Sequence, residues 1–419
     1  MSAPRSQITN WAGNVTFGSP RVHRPGSVDE LRRLVRDSAR IRALGSGHSF
    51  NLVADSDQDL VRLDGLPEET VIDAGNSTVT VTAGTRYAEL VTALDAEGFA
   101  LANLASLPHI SVAGSCATGT HGSGDGQRCL SAAVRAVQLV GPDGGLSWLS
   151  RDADPGVFPG VVVALGALGI VTRLSLEVEP AFEMFQEVRV GVPLEEAADH
   201  VDDVFGAAYS VSLFTDWRDE GVVWFKQRAD RPGAGWDGGR PAQRPMHPVP
   251  GMSTESSTEQ MGVVGPWHER LPHFRPGLEP SGAGEELQSE LYVPREYARD
   301  AFTALRGIGR LVAPVLHTAE VRTVRADDLW LSPAHGRDCV AFHFTWVKDL
   351  AAVTPVLAAV EERLLPLGAR PHWGKLTTTA APDIAAMYER AADFARLMRD
   401  LDPTGKFRNA FVDGLFPLG

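Results

Sequence analysis

Residues able to do chemistry fall into two kinds of segment. The first is glycine-rich and carries histidine: Ala43-Leu44-Gly45-Ser46-Gly47-His48-Ser49-Phe50, and then the longer run from Ala105-Ser106 through His109, Ser111 and Gly114 to Thr118-Gly119-Thr120-His121-Gly122. Runs so rich in Gly, Ser and Thr bring backbone N–H groups and hydroxyls together, which suits a pyrophosphate. The spacing is not that of a Rossmann turn, because Gly45-Ser46-Gly47 is followed by His48-Ser49-Phe50. No G-x-S-x-G, H-E-x-x-H or P-loop spacing occurs, so serine hydrolase, zinc protease and ATPase chemistry have no support.

The second kind is strand-like. Successive side chains of a strand point to opposite faces, so residues two apart share one. Gln288 and Glu290 share a face, as do Glu320 and Arg322 with Thr318 beside them, and His343 and Thr345 opposite Phe342, Phe344 and Trp346. If these strands are neighbours, their polar sides form a wall of carboxylate, guanidinium, amide, imidazole and hydroxyl, suited to a ligand covered in hydroxyl groups. The same alternation is met by a sheet with one solvated face. Lys375, beside Trp373 and Gly374, equally reads as a surface lysine lying along apolar surface. His48, His109 and His121 equally read as loop histidines with structural hydrogen bonds. Only four lysines occur, Lys226, Lys348, Lys375 and Lys406, so one inside an apolar segment merits examination.

These residues need elements to hold them. Ser27-Val28-Asp29-Glu30 has capping-box spacing ahead of a helix, and a strand at 41–44 runs into the first glycine loop. A strand at 78–83 precedes a helix ended by Gly98. Segments 134–140 and 146–150 flank Gly141-Pro142-Asp143-Gly144-Gly145 as a hairpin, and a further strand follows Gly166 to Gly169. The stretch 230–285, rich in Gly and Pro with Trp236, Trp267, His247, His268 and His273, has no periodicity; it is expected to pack over the substrate domain. Strands are expected at 287–293, 315–324 and 340–347, with helices after Pro294, at 350–364 and at 382–400. The fold class is α+β.

At 419 residues the chain is too long for one ordinary core, so two domains are expected: 1–180 completed by 371–419, and 181–370 between. A net charge of -14 argues against nucleic acid and anionic membranes as partners. Three widely spaced cysteines, Cys116, Cys129 and Cys339, give no disulfide framework and no metal site. Residues 1–13 have no apolar signal-peptide core, and the apolar run 157–171 is too punctuated to span a bilayer. A cytoplasmic setting and a monomer are expected.

In order and at family spacing, the motifs resemble the vanillyl-alcohol-oxidase-type flavoproteins. Gly45-Ser46-Gly47-His48-Ser49 and the Ser111-to-Gly124 run resemble their FAD-binding loops, and Gly166 to Thr172 their strand over the flavin. His372-Trp373-Gly374-Lys375 and Asp402-Pro403-Thr404-Gly405-Lys406-Phe407 resemble the sugar-alcohol and aldonolactone branch. Asn103 to Ser111, Ser212 to Trp217 and Gly265 to Arg270 are most similar to its alditol oxidases.

The resemblance implies a two-domain fold, an FAD-binding domain plus a cap domain with an antiparallel sheet, and FAD carried covalently on His48 through its 8α carbon. It implies that Ala43, Leu44, Gly45, Ser46, Gly47, Ser49, Ser106, Ser111, Gly114, Thr118, Gly119, Thr120, His121, Gly122 and Val171 line the cofactor. Arg322 and Lys375 then stabilise an alkoxide-like oxygen as a terminal alcohol gives up its hydride. Glu320 accepts from neighbouring hydroxyls and holds Arg322, and Ser106, Gln288, His343 and Thr345 bind the rest of a polyol such as xylitol or sorbitol. Dioxygen is the expected second substrate, with Ala105 beside the flavin. An aldonolactone or sugar oxidase of the same fold is the alternative, and a non-catalytic sugar-binding flavoprotein a third reading, which would not need Glu320, Arg322 and Lys375.

Overall fold

Ser27 caps the first helix, Val28–Asp37 (α1), by accepting from the Glu30 N–H. In the computed structural model, which describes residues 8–278 and 284–417, α1 leads into a parallel three-stranded sheet. Its strands are Arg21–His23 (β1), Ile41–Leu44 (β2) and Asp59–Arg62 (β3), in the order β1-β3-β2. Beside it lies a five-stranded antiparallel sheet of Thr70–Asp73 (β4), Thr78–Thr82 (β5), Val134–Val140 (β6), Leu146–Ser150 (β7) and Ile170–Glu177 (β8). Its order is β4-β5-β8-β6-β7, with the expected hairpin as β6 and β7. Tyr87–Ala96 (α2) and the short Val112–Ala117 (α3) pack on it through Tyr87, Leu90, Val91 and Val112.

The second half is built on a nine-stranded antiparallel sheet. Its long strands are Glu183–Pro193 (β9), Ser210–Thr215 (β10), Glu220–Arg228 (β11), Glu286–Pro294 (β12), Leu316–Val324 (β13) and Cys339–Val347 (β14). They run in the order β9-β11-β10-β13-β14-β12, so the three polar-faced strands are neighbours. One face of the sheet is apolar: Val211, Leu213, Leu291, Val321, Phe342, Phe344 and Trp346 pack there with Leu350–Leu364 (α4) into one core. The other face carries the polar side chains. This sheet is not half-solvated. Both of its faces are covered.

Residues 230–278 lie over the polar face, tied to β9 by two short paired strands, Arg240–Pro241 and Gly265–Pro266, and by side-chain hydrogen bonds. Gln186 donates to Thr258 Oγ1 (2.6 Å) and to the Arg270 carbonyl (2.7 Å), and Gln260 exchanges two bonds with the Met246 backbone. Residues 279–283 of that stretch, like residues 1–7, lie outside the described residues. The C-terminal residues return to the first core, where Phe407, Val412 and Leu415 join Leu31, Val35 and Ile41. The expected helix at 382–400 is broken: Ala381–Ala386 (α5) and Ala391–Leu401 (α6) are separate. Between them Tyr388 turns inward to stack on Trp373 at 4.8 Å, a tertiary contact that overrides local helix preference.

Candidate functional site

The two glycine loops meet. Strand β2 ends at Leu44, and a Cβ on Gly45 would lie 2.6 Å from Ser111 Oγ, so glycine lets the first loop approach the start of α3 without displacing that hydroxyl. The Ser111 N–H donates to Ser46 Oγ at 3.2 Å across the contact. His48 leaves this loop stacked on Trp11, ring centroids 5.2 Å apart, and the Trp11 N–H is tied to the Gly47 carbonyl. Its Nδ1 is buried without a hydrogen-bond partner. Burial, with Arg86 and His109 nearby, lowers the imidazole to about 4, so the ring is neutral at ordinary pH.

One cavity of ≈ 430 Å³ runs from these loops to the polar wall of the sheet. Its lining includes Ala43, Leu44, Gly45, Ser46, Gly47, His48, Ser49, Ala105, Ser106, Ser111, Gly114, Thr118, Thr120, His121 and Val171 at one end. At the other end stand Gln288, Glu320, Arg322, His343, Thr345 and Lys375. Two expected cofactor-lining residues do not reach it. Gly119 faces Pro333, and Gly122 is packed against Asn103 and the Leu104 carbonyl, where any side chain would collide. Both are packing glycines behind the lining.

Strand register explains the wall. His343 stands opposite Glu290 on one side and Glu320 on the other, and Thr345 opposite Gln288 and Thr318. Arg370 and Pro371 add a two-residue strand beside Tyr292 and Leu291 of β12. The chain then turns through His372-Trp373-Gly374, anchored by His372 N–H to the Glu290 carbonyl and Leu376 N–H to the Gln288 carbonyl, both 2.9 Å. That turn delivers Lys375 onto the wall.

The centre of the wall is Glu290, a residue absent from the expected catalytic set although its face had been identified. It is 1% exposed. Oε1 accepts from Arg322 Nη2 at 2.6 Å and faces His121 Nε2 at 3.0 Å, while Oε2 accepts from Lys375 Nζ at 2.7 Å. Burial alone would raise this carboxyl, but Lys375 and Arg322, then His121, outweigh it and hold it well below the usual range. Glu290 is thus the shared counter-ion of two cations, Arg322 buried and Lys375 largely buried. Its only signal in the sequence was its place two residues from Gln288, which periodicity alone could not separate from a solvated position.

The cations keep donors to spare. Lys375 also donates to His343 Nδ1 at 2.6 Å, which fixes that ring with its proton on Nε2, 3.2 Å from Thr345 Oγ1. Of the three Lys375 N–H groups, two are thereby used and one is left for the cavity. Burial and Lys375 lower His343 to about 4. Arg322 Nη1 reaches Ser106 Oγ at 3.4 Å, and Arg322 Nε has no partner. The resemblance had Glu320 hold Arg322. The two form an ion pair, Arg322 Nε 3.6 Å from Glu320 Oε2 and too long for a hydrogen bond, while Glu320 Oε1 accepts from His273 Nε2 at 2.7 Å. His273, from the 230–278 cover, also lines the cavity, as do His247, Phe274 and Glu286. No sequence motif marked these four.

A donor set of glycine loops, a neutral buried histidine with a free Nδ1 and a polar wall fits a flavin dinucleotide beside a hydroxylated substrate. The comparisons agree. A model described as FAD binding domain matches residues 20–150, and one described as D-arabinono-1,4-lactone oxidase matches 285–415. An alditol oxidase from Streptomyces sp. is 52% identical, over 97% of this chain and 98% of that protein. An L-gulonolactone oxidase from Bos taurus is 26% identical over 98% of each. Among solved structures, a cholesterol oxidase variant from Brevibacterium sterolicum superposes with a TM-score of 0.77 at 13% identity, covering 98% of this chain and 97% of that one. That likeness supports the expected α+β vanillyl-alcohol-oxidase-type fold. With half its residues shared along nearly the whole length of both chains, this protein belongs to the alditol oxidase family of FAD-dependent oxidoreductases.

Proposed function

We propose that this protein oxidises the terminal primary alcohol of alditols such as xylitol and sorbitol to the aldose, with dioxygen reduced to hydrogen peroxide. The observation that carries the reading is the Glu290 hub, which holds Arg322 and Lys375 together in the lining of the cavity. When bound, FAD supplies the hydride acceptor and the route to dioxygen. The chain's residues do the rest. Arg322 and Lys375 stabilise negative charge on the reacting oxygen, where fixed positive charge in a water-poor site acts most strongly. Glu320, Gln288, Thr345 and Ser106 present acceptors and donors to the hydroxyls further along the chain. His343, held by Lys375 and Thr345, orients that ammonium.

The cofactor is proposed to be tethered to His48. The support is a neutral ring whose Nδ1 is buried and free at the head of the glycine loops. A wild-type band on a denaturing gel should fluoresce under ultraviolet light, and His48→Ala should not. Flavin released from wild type by acid precipitation would rule the tether out. Three buried, unpaired cysteines fit a reducing cytoplasm, and the protein is proposed to act there as a monomer. No helix among the described residues is long and apolar enough to cross a membrane.

A lactone oxidase is the second reading, favoured by the family model over 285–415. The wall separates the two. Its groups stand on adjacent strands and match a chain with a hydroxyl at each carbon, and each buried group left unpaired costs ~1–3 kcal/mol. A peroxide assay over polyols and lactones decides it. Xylitol and sorbitol should show much higher kcat/KM than glycerol, 1,2-diols or cyclic lactones. A lactone turned over faster than xylitol would transfer the assignment to the second reading.

A further inference from the structure

The wall continues past Arg322 into a part of the sheet that the proposed reaction does not use. Ser212 stands opposite Arg322, and two residues along β10, Ser210 stands opposite Lys226 of β11. Lys226 is 1% exposed and does not line the cavity. Its neighbours across the sheet, Ser210 and Gln186, are uncharged, so no carboxylate is paired with it there. Its ammonium donates instead to three acceptors of the covering segment: the Leu271 and Pro272 carbonyls and His273 Nδ1, the last at 2.8 Å. All three N–H groups are thereby used.

The His273 ring is fixed from every side. Phe214 and Trp224 meet it edge-on, with centroids 5.4 and 5.2 Å away. The backbone N–H groups of His273 and Phe274 both donate to the Ser106 carbonyl, at 3.1 and 3.2 Å. With Lys226 donating to Nδ1, the ring's own proton is on Nε2, where it points at Glu320 Oε1 at 2.7 Å. The reverse tautomer would put two protons between Lys226 and Nδ1 and two lone pairs between Nε2 and Glu320.

We infer that Lys226 and His273 form a positioning dyad that holds Glu320 by its Oε1, so that Oε2 is the oxygen left to Arg322 and the substrate hydroxyls, and that Lys226, by occupying Nδ1, keeps a second proton off the ring that donates to Glu320. The inference deepens the polyol reading by naming what fixes its acceptor carboxylate. It also makes the 230–278 cover part of the wall, because the dyad bolts that segment to Glu320 and to the backbone of Ser106 at once. The electrostatics are consistent. Burial lowers Lys226 to about 7, with Glu320 opposing and Arg322 reinforcing the shift, and burial and Lys226 lower His273 to about 4. The ring is therefore neutral, as a single defined tautomer requires.

The test has a readout independent of turnover. In FAD-loaded protein labelled with 15N-histidine, the ring signal lost in His273→Gln belongs to His273. In wild type it should report a neutral ring protonated on Nε2, in Lys226→Met a ring that takes a second proton, on Nδ1, at a higher pH, and in Lys226→Arg the wild-type form. A wild-type ring protonated on Nδ1, or a Lys226→Met ring identical to wild type, would overturn the inference. Rapid-mixing reduction of the flavin by xylitol supplies the second arm: Lys226→Met should weaken polyol binding at least tenfold, with Lys226→Arg closer to wild type. Equal binding in the two variants counts against the dyad. If polyols fail to reduce even the wild-type flavin while the tautomer is as stated, the substrate reading fails and the dyad stands.

Discussion

Glu290 is the residue on which the site depends most directly. Arg322 is buried and Lys375 largely so, and an unpaired buried charge is far more costly than an exposed one. Glu290→Gln keeps the shape but removes the charge that neutralises both, and breaking a buried pair in this way costs ~3–5 kcal/mol. The variant should therefore lose thermal stability and also reduce its flavin with xylitol much more slowly. Arg322→Ala and Lys375→Ala each remove one cation proposed to face the reacting oxygen, and loss of one such donor typically costs ~10²–10³ in rate. Stopped-flow reduction within a few-fold of wild type in both would show that neither carries the proposed charge stabilisation.

Elements matter here through register and close approach. Lys375 reaches Glu290 because Arg370 and Pro371 pair with β12 and the following turn is tied to the Glu290 and Gln288 carbonyls. At the opposite end, Gly122 is packed against Asn103 and the Leu104 carbonyl, immediately before Ala105 and Ser106 of the cavity lining. A methyl group at 122 has to push that backbone away, and overpacking of this kind typically costs ~1–3 kcal/mol. Gly122→Ala should accordingly lower the melting temperature and the flavin content of purified protein, read from absorbance per chain. Full flavin content at an unchanged melting temperature would mean that the 103–106 segment yields freely.

For the molecule as a whole, the site is a reservoir of acid sensitivity. His273 and His343 have an ordinary pKa of 6.5 and lie near 4 in the fold, because burial and a neighbouring ammonium oppose their protonation. The folded value is the lower one, so the unfolded chain takes up protons first as pH falls. Their contribution is complete above about pH 6.5 and is lost as pH drops through about 4. Glu290 and Glu320, both held below their ordinary 4.5, extend the loss to more acid pH. Thermal unfolding followed by tryptophan fluorescence should show a midpoint that falls steadily from pH 6.5 to 4. A midpoint flat across that interval would mean that these rings are protonated in the fold.

What the sequence determined by itself was local. Capping at Ser27, the period of two in β12, β13 and β14, and the glycine density around His48 and Ser111 are set by neighbouring residues, so they were legible without a partner. The resemblance carried by Gly45 to Ser49 and by His372 to Lys375 added the expectation of a flavin and a polyol. Only the tertiary structure decided which polar residue was central. Periodicity assigns Glu290 to a face but not to the inside or the outside of the protein. Burial of Glu290 came from the loop of His121 and the turn that carries Lys375, while the 230–278 cover, which has no repeat to read, closed over Glu320. The same cover gave Glu320 a hydrogen bond from His273 beside its ion pair with Arg322. The helix expected at 382–400 failed for a related reason, since the stacking of Tyr388 on Trp373 joins residues from separate elements. Local pattern is written in near neighbours, whereas charge pairing in a buried site is fixed by which distant strands and loops come to lie together.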